Sequence, residues 1–332
     1  MIKVAINGFG RIGRAVAKVL LDMPGIDLVA INDLGDLETL SHLLKYDTSY
    51  GIYEKEVGFD QNSLLVNNHK AIFLSEKKPE DLPWDSLEID VVIESTGFFL
   101  TYPEAKKHFE AGAKKVVLSA PAKDDKIPTF VIGANQDDYQ GEKIISNASC
   151  TTNCIAPVIK ILDDVFGVEK SLMTTVHSYT ADQNLVDGPH KDLRRARAAA
   201  ENIVPTTTGA AKAASKTVKS LEGRFDGLSI RVPTPIVSIA DITAVVNKKV
   251  DVEMINKVLV EAADTSYSKI VVCSEEPLVS SDLIKNPASA IVDLPLTQVV
   301  RGDLIKVVAW YDNEWGYSCR LAEMAELIGN FK

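Results

Sequence analysis

The segment "INGFGRIG" sets three glycines, Gly8, Gly10 and Gly13, between an apolar run, "KVAIN" at 3–7, and a helical pattern over 11–22. Few folds accept that order. A strand that ends in G-x-G-x-x-G and passes into a helix makes a tight turn, lets backbone approach a pyrophosphate closely, and aims helix N-terminal N–H groups at it. The second element of such a site is a carboxylate about 20 residues on, at the end of the next strand. Asp33 closes "DLVAIND" (27–33), where it can accept hydrogen bonds from ribose hydroxyls and repel a 2′-phosphate, which favours NAD over NADP.

The rest of the first 150 residues continues the pattern. "DVVIESTG" (90–97) and "KKVVLSAP" (114–121) read as further buried strands, with a helix expected over 102–112. Continuous apolar strands alternating with helices predict an α/β, doubly wound parallel sheet. Thr96, within "STG" (95–97), and Ser119 end later strands of that sheet, where open sheets collect ligands; each alone reads as an ordinary turn. Beyond 150 the texture changes. A helix is expected over 151–165, then long alternating strands at 171–180, 227–246 and 305–312, which fit a largely antiparallel sheet, and a closing helix at 315–329. Between them, residues 181–204 form a long polar and basic segment of the kind that is functional inside a compact protein.

"SNASCTTNC" (146–154) poses the chemical question. The chain has four cysteines in 332 residues, Cys150, Cys154, Cys273 and Cys319, at irregular spacing. That is too few for a disulfide framework, and no second pair completes a zinc set, so no metal site and a reducing, cytoplasmic setting are expected. Cys150 stands where a helix begins, and a helix N-terminus stabilises a thiolate. It is the candidate nucleophile, and Cys154, one turn on, a structural thiol. A nucleophilic cysteine needs a base. His42, His69, His108 and His190 lie in contexts that read as surface; His177, in "TTVHSYT" and followed by Thr180 and Asp182, is the candidate. Arg194, Arg195 and Arg197, the turn "PTTTGAA" (205–211) and Arg231 in an otherwise apolar strand supply anion-binding groups and suggest a phosphorylated substrate.

The net charge of −10 argues against a dedicated nucleic-acid binder without excluding a local anion pocket. No basic segment precedes a long apolar core at the N-terminus, so no signal peptide is expected, and no apolar run approaches the roughly 18 residues of a membrane span.

"INGFGRIGR", "SNASCTTNC", "HSYT", "HKDLRRARAA", "PTTTGAAKA", "RVPTP" and "WYDNEWGYS" together make the sequence closely resemble the phosphorylating glyceraldehyde-3-phosphate dehydrogenase family, over essentially the whole chain. The resemblance implies a Rossmann NAD-binding domain at 1–149, to which the C-terminal helix (315–332) returns. It further implies an α+β catalytic domain at 150–314 and a homotetramer. It implies oxidation of an aldehyde with NAD and inorganic phosphate to an acyl phosphate, with Cys150 forming a hemithioacetal and then a thioester and His177 as base. Thr180, Asp182 and Arg231 would line the substrate-phosphate site; Ser149, Thr151, Arg195, Thr208 and Gly209 that for attacking phosphate. By the same resemblance Arg11, Ile12, Asp33, Lys77, Ser119 and Asn313 match cofactor contacts, and Tyr317 would pack near the nicotinamide. Two positions depart from the family pattern: Gly188-Pro189 replaces a Leu-Pro whose leucine helps exclude a 2′-phosphate, and Lys77 replaces an arginine. Erythrose-4-phosphate dehydrogenase shares the cysteine and histidine, and a non-catalytic NAD-binding regulator or adhesin is the rival of another class.

Overall fold

In the computed structural model, which describes residues Met1–Phe331, β1 (Ile2–Asn7) carries Val4, Ala5 and Ile6 with no exposed surface. A strand so buried must be covered on both faces, which is why it reads as a continuous apolar run. After it come α1 (Arg11–Leu20), β2 (Ile26–Asn32), α2 (Leu37–Lys45) and a small ribbon of β3 (Tyr46–Asp47) and β4 (Gly51–Ile52). The strands β5 (Val57–Phe59), β6 (Ser63–Val66), β7 (His69–Leu74) and β8 (Val91–Glu94) follow. The single turns α3 (Tyr102–Ala105) and α4 (Lys107–Glu110) then lead to β9 (Lys115–Leu118) and β10 (Ile144–Ser146). The sheet order is β10-β9-β8-β1-β2-β7-β6-β5, parallel from β10 to β7 and antiparallel at the β6 and β5 edge. The chain winds from β1 to β2 in one direction and returns to β8 on the other side of β1. The tips of β1 and β8 therefore flank a switch point, where doubly wound sheets bind ligands.

The second sheet runs β12-β13-β11-β14-β18-β16-β15, with β17 paired to β18. Its strands are β11 (Val168–Ser178), β12 (Val204–Thr207), β13 (Phe225–Val232), β14 (Ser238–Val246), β15 (Val271–Ser274), β16 (Ala290–Asp293), β17 (Gln298–Val300) and β18 (Leu304–Tyr311). Most pairings are antiparallel; β11–β13 and β15–β16 are parallel. β14 alternates buried and half-buried residues along its whole length, so one face is covered and the other is not. The helices α5 (Cys150–Phe166), α6 (Ala210–Thr217) and α7 (Val252–Asp264) pack on the covered face. On the other, Leu172 and Leu228 are 66% and 45% exposed. The last helix is α8 (Trp315–Asn330).

Two units emerge. One holds Met1–Phe130, Asp137–Ala148 and Ser318 onward; the other holds Val131–Gln136 and Ser149–Tyr317.

Three expectations are corrected. The strand over 227–246 is two strands, because the Pro233-Thr234-Pro235 corner lacks two N–H donors and turns the chain between β13 and β14. The helix over 102–112 is two single turns: at Lys106 the bonding tightens, and the Phe109 N–H reaches Lys106 O at 2.9 Å rather than four residues back. His108 is not on the surface but wholly buried, and His69 is on strand β7 with Nε2 2.8 Å from Leu28 O.

Candidate active site

In the first unit the glycine turn is built by close approach. Gly8 has φ +97°, and a Cβ there would lie 2.7 Å from both Ser95 C and Thr96 N. A Cβ on Gly13 would lie 2.1 Å from Gly8 O, so the helix can start this near the strand only without a side chain. Above Gly10 there is open space, and no side chain caps the N-terminus of α1. A helix start without a side-chain cap, above a glycine cradle, suits a pyrophosphate. Asp33 accepts from Phe9 N–H (2.6 Å) and Gly35 N–H (2.8 Å), which fixes its carboxylate at the tip of β2 with further lone pairs for ribose hydroxyls. These residues fit NAD. Gly8→Ala should cost about 1–3 kcal/mol through its left-handed backbone and the clash. A thermal melt of the nucleotide-free protein unchanged from the parent would contradict that geometry.

The other predicted cofactor contacts are placed as follows. Ile12 is half-buried in the first turn of α1. Arg11 forks onto Asp47 at 3.1 and 3.4 Å. Lys77 is exposed, with no side-chain partner among the described residues. Thr96 donates its N–H to Glu94 Oε1 at 2.8 Å, and Ser119 N–H reaches Glu94 O at 2.9 Å. Asn313 and Tyr317 fall in the second unit. Asn313 Oδ1 accepts from Ser178 Oγ (2.9 Å) and Ser238 Oγ (3.1 Å), which turns its amide N–H₂ away from both. Tyr317 is buried in the first turn of α8.

The second unit brings the reactive pair together. Ser149 caps α5 by accepting from Thr152 N–H at 3.2 Å, so Cys150 is the first helical residue. Cys150 is half-buried, whereas Cys154 is fully buried. His177, near the end of β11, sets Nε2 3.5 Å from Cys150 Sγ. Its Nδ1–H donates to Ser178 O at 2.6 Å. That bond selects the tautomer with a lone pair on Nε2, facing the thiol. Burial pushes the Cys150 thiol up, against the Arg231 charge and the Thr151 hydroxyl and N–H. Burial and then Arg231 push His177 down, to about 3. Both shifts penalise a lone charge. Passing the proton from Sγ to Nε2 makes two opposite charges side by side with no net charge, and the α5 amides and Arg231 favour the thiolate. The pair is thus built to move a proton internally rather than to exchange it with water.

Around it lie two arginines. Arg231 Nη1 donates to Thr180 Oγ1 (2.9 Å) and Ser178 O (3.2 Å). Arg195 holds Asp182 Oδ2 (2.6 Å), Thr206 Oγ1 (3.0 Å) and Thr207 O (3.3 Å). Asp182 also accepts from Thr180 Oγ1. Burial pushes the Asp182 carboxyl up, but the Thr180 hydroxyl and the two guanidinium groups outweigh it and hold it below the ordinary range. Thr152 Oγ1 reaches Ala210 O at 3.5 Å and so ties the N-terminus of α5 to that of α6, where Gly209 is the capping residue and Thr208 Oγ1 accepts from Ala210 N–H at 3.1 Å. Two helix starts and Arg195 make an anion cradle. Of the three loop arginines only Arg195 joins it; Arg197 pairs with Asp187 at 2.9 Å, and Arg194 is exposed. The Thr151 hydroxyl is turned to Tyr311 OH (2.8 Å), and so is that of Thr175 (2.8 Å). Tyr311 and Thr175 escaped the sequence reading, and Thr206 entered it only as part of the turn at 205–211. The signal for Tyr311 was its place in "WYDNEWGYS", on a strand whose alternate residues face the helices.

A thiol paired with an anchored imidazole, on a chain whose other unit carries a dinucleotide turn, fits the class of NAD-dependent oxidoreductases. The sequence profile described as the glyceraldehyde 3-phosphate dehydrogenase NAD binding domain matches residues 2–102, and that of the C-terminal domain matches 149–313. The chain is 51% identical to glyceraldehyde-3-phosphate dehydrogenase of Geobacillus stearothermophilus over 331 residues, covering 99% of this chain and 98% of that one. It is 52% identical to glyceraldehyde-3-phosphate dehydrogenase 2 of Bacillus subtilis over 326 residues, 97% and 95% of the two chains. It is likewise 52% identical to glyceraldehyde-3-phosphate dehydrogenase 2 of Trichormus variabilis over 333 residues, 99% and 98% of the two chains. The chain belongs to the glyceraldehyde-3-phosphate dehydrogenase family.

Proposed function

We propose that the protein oxidises D-glyceraldehyde 3-phosphate to 1,3-bisphosphoglycerate with NAD and inorganic phosphate, with Cys150 as nucleophile and His177 as base. The observation that carries this is the 3.5 Å approach of Cys150 Sγ to a His177 Nε2 whose other nitrogen is anchored on Ser178 O. Sγ attacks the aldehyde carbon and gives a hemithioacetal. The N–H of Cys150, at the start of α5, and the imidazole steady the oxygen as charge develops on it. Nε2, which holds the proton from Sγ, returns it to that oxygen and takes it back as the carbon is oxidised. When bound at Gly8, Gly10, Arg11, Ile12, Gly13 and Asp33, NAD supplies the two-electron acceptor for this oxidation. The thioester left on Cys150 is cleaved by phosphate, which releases the acyl phosphate and the thiolate.

Arg231 and Thr180 hold the substrate phosphate, with Asp182 keeping them in register. Ser149, Thr208, Gly209, Arg195 and the Thr151 N–H hold the attacking phosphate. Asp182 is the anion that keeps the two guanidinium groups together before phosphate arrives. Arg195→Ala should raise the phosphate concentration for half-maximal rate about tenfold or more, since a bidentate charged donor is lost. An unchanged phosphate dependence would reassign Arg195. Lys77, Thr96, Ser119, Asn313 and Tyr317 complete the cofactor contacts in this reading.

The assembly it assigns is a homotetramer, supported by the uncovered face of the second sheet with Leu172 and Leu228. The setting is cytoplasmic, supported by four free cysteines. No helix among the described residues is long and apolar enough to cross a membrane.

The test is NADH formation from glyceraldehyde 3-phosphate with and without phosphate, run beside NADP and erythrose 4-phosphate. Fast, phosphate-dependent turnover with NAD is expected; preference for erythrose 4-phosphate without phosphate dependence would refute the reading. Light scattering of the purified protein should give the mass of four chains.

A further inference from the structure

Behind the glycine turn lies a polar cluster that the chemistry above does not use. Glu94, at the tip of β8, His108 on α4 and Trp84 have no exposed surface at all. A carboxylate in such a place is rare unless every lone pair has work. Glu94 Oε2 accepts from Asn7 Nδ2 (2.6 Å) and His108 Nε2 (3.1 Å); Oε1 accepts from Thr96 N–H (2.8 Å) and from Thr96 Oγ1. The Trp84 indole can only donate, and it donates to His108 Nδ1 at 3.1 Å, so Nδ1 carries the lone pair and Nε2–H points at Glu94. Asn7 Oδ1 in turn accepts from Asn32 Nδ2 at 2.7 Å, next to Asp33 in sequence.

This chain of bonds starts in the apolar core, where Trp84 packs among Leu82, Ile89 and Val92, and ends on the three strand tips that shape the cofactor site. Through Thr96 it sets the loop whose backbone abuts Gly8; through Asn7 and Asn32 it sets the approach to Asp33. We propose that Glu94 and His108 are positioning residues for the dinucleotide, fixing the glycine turn, the Thr96 loop and Asp33 relative to one another before the cofactor arrives. The inference rests on NAD occupying this turn.

Glu94→Gln is the test. It keeps the shape but puts an N–H₂ where four donors converge, so at least one buried donor faces another. The expected result, by calorimetry, is a dissociation constant for ADP-ribose raised about tenfold or more. Turnover at saturating NAD and the KM for glyceraldehyde 3-phosphate should stay within about twofold of the parent. So should the alkylation rate of Cys150 in the nucleotide-free protein, which reports on the second unit. An ADP-ribose affinity equal to the parent's with a lowered melting point would make the cluster a structural staple and overturn the proposal. Equal losses in ADP-ribose binding and Cys150 alkylation would also overturn it. If Glu94→Gln does not fold, Trp84→Phe removes only the indole donor. A rise of about threefold in the same constant is then expected, and no rise overturns the proposal. A parent protein that fails to bind ADP-ribose would overturn the cofactor reading and this one together.

Discussion

Cys150→Ser should lower kcat/KM by about 10⁴-fold or more, with the substrate still able to bind. The loss has two sources. A serine hydroxyl at the start of α5 holds its proton far more tightly than a thiol, so the same helix amides and Arg231 charge cannot expose a nucleophile. An oxygen ester is also a poorer acyl donor to phosphate than the thioester. The check is steady-state rate beside mass spectrometry of protein quenched during turnover without phosphate. The parent should carry one acyl group on Cys150, and the variant none. A variant that retains a tenth of the parent rate would sink the covalent mechanism and return the cysteine to a structural role.

His177→Asn should lower kcat by about 10²–10⁴-fold, the usual contribution of a positioned base. The more telling effect is on pH dependence. Burial raises the Cys150 thiol, and in the proposed mechanism the Nε2 lone pair 3.5 Å away is what receives its proton. Without the imidazole only the upward push and the fixed donors remain, so thiolate forms only as pH rises beyond the ordinary thiol range. Alkylation of the nucleotide-free variant should therefore be at least about tenfold slower than the parent near neutrality, and should gain on it toward alkaline pH. Two profiles that superimpose would show that His177 does not share the Cys150 proton.

The sequence pointed to the fold class through its alternating elements and to the candidate site through local pattern. Cys150 was legible because small polar residues precede a helix pattern, and His177 because its segment, "TTVHSYT", reads as an apolar strand running into a polar cluster; His69, also on a strand, read as surface. Gly8 and Gly13 were legible because backbone geometry restricts what can stand there, and Asp33 because it ends the next strand about 20 residues on. What stayed hidden depends on pairing across long stretches of chain. The corner at Pro233 was written in the residues but masked by the alternation on either side of it. His108 looked like surface because its short helix is polar in composition; only the fold reveals that it turns inward to Glu94 and Trp84. Glu94 itself, a charge ending "DVVIE", was the unused signal, since an apolar strand does not end on a buried carboxylate without partners. Arg195 could not be told from Arg194 and Arg197 by spacing, because only Thr206 and Asp182, brought up from either side, single it out.

Ser178 O accepts both the His177 Nδ1–H and the Arg231 Nη1–H. It is a main-chain oxygen, present whatever residue occupies position 178. No change of side chain at 178 deletes the atom shared by the proposed base and the proposed phosphate-binding arginine. Groups around it can change with their side chains, while the oxygen on which both donors converge comes with the strand itself.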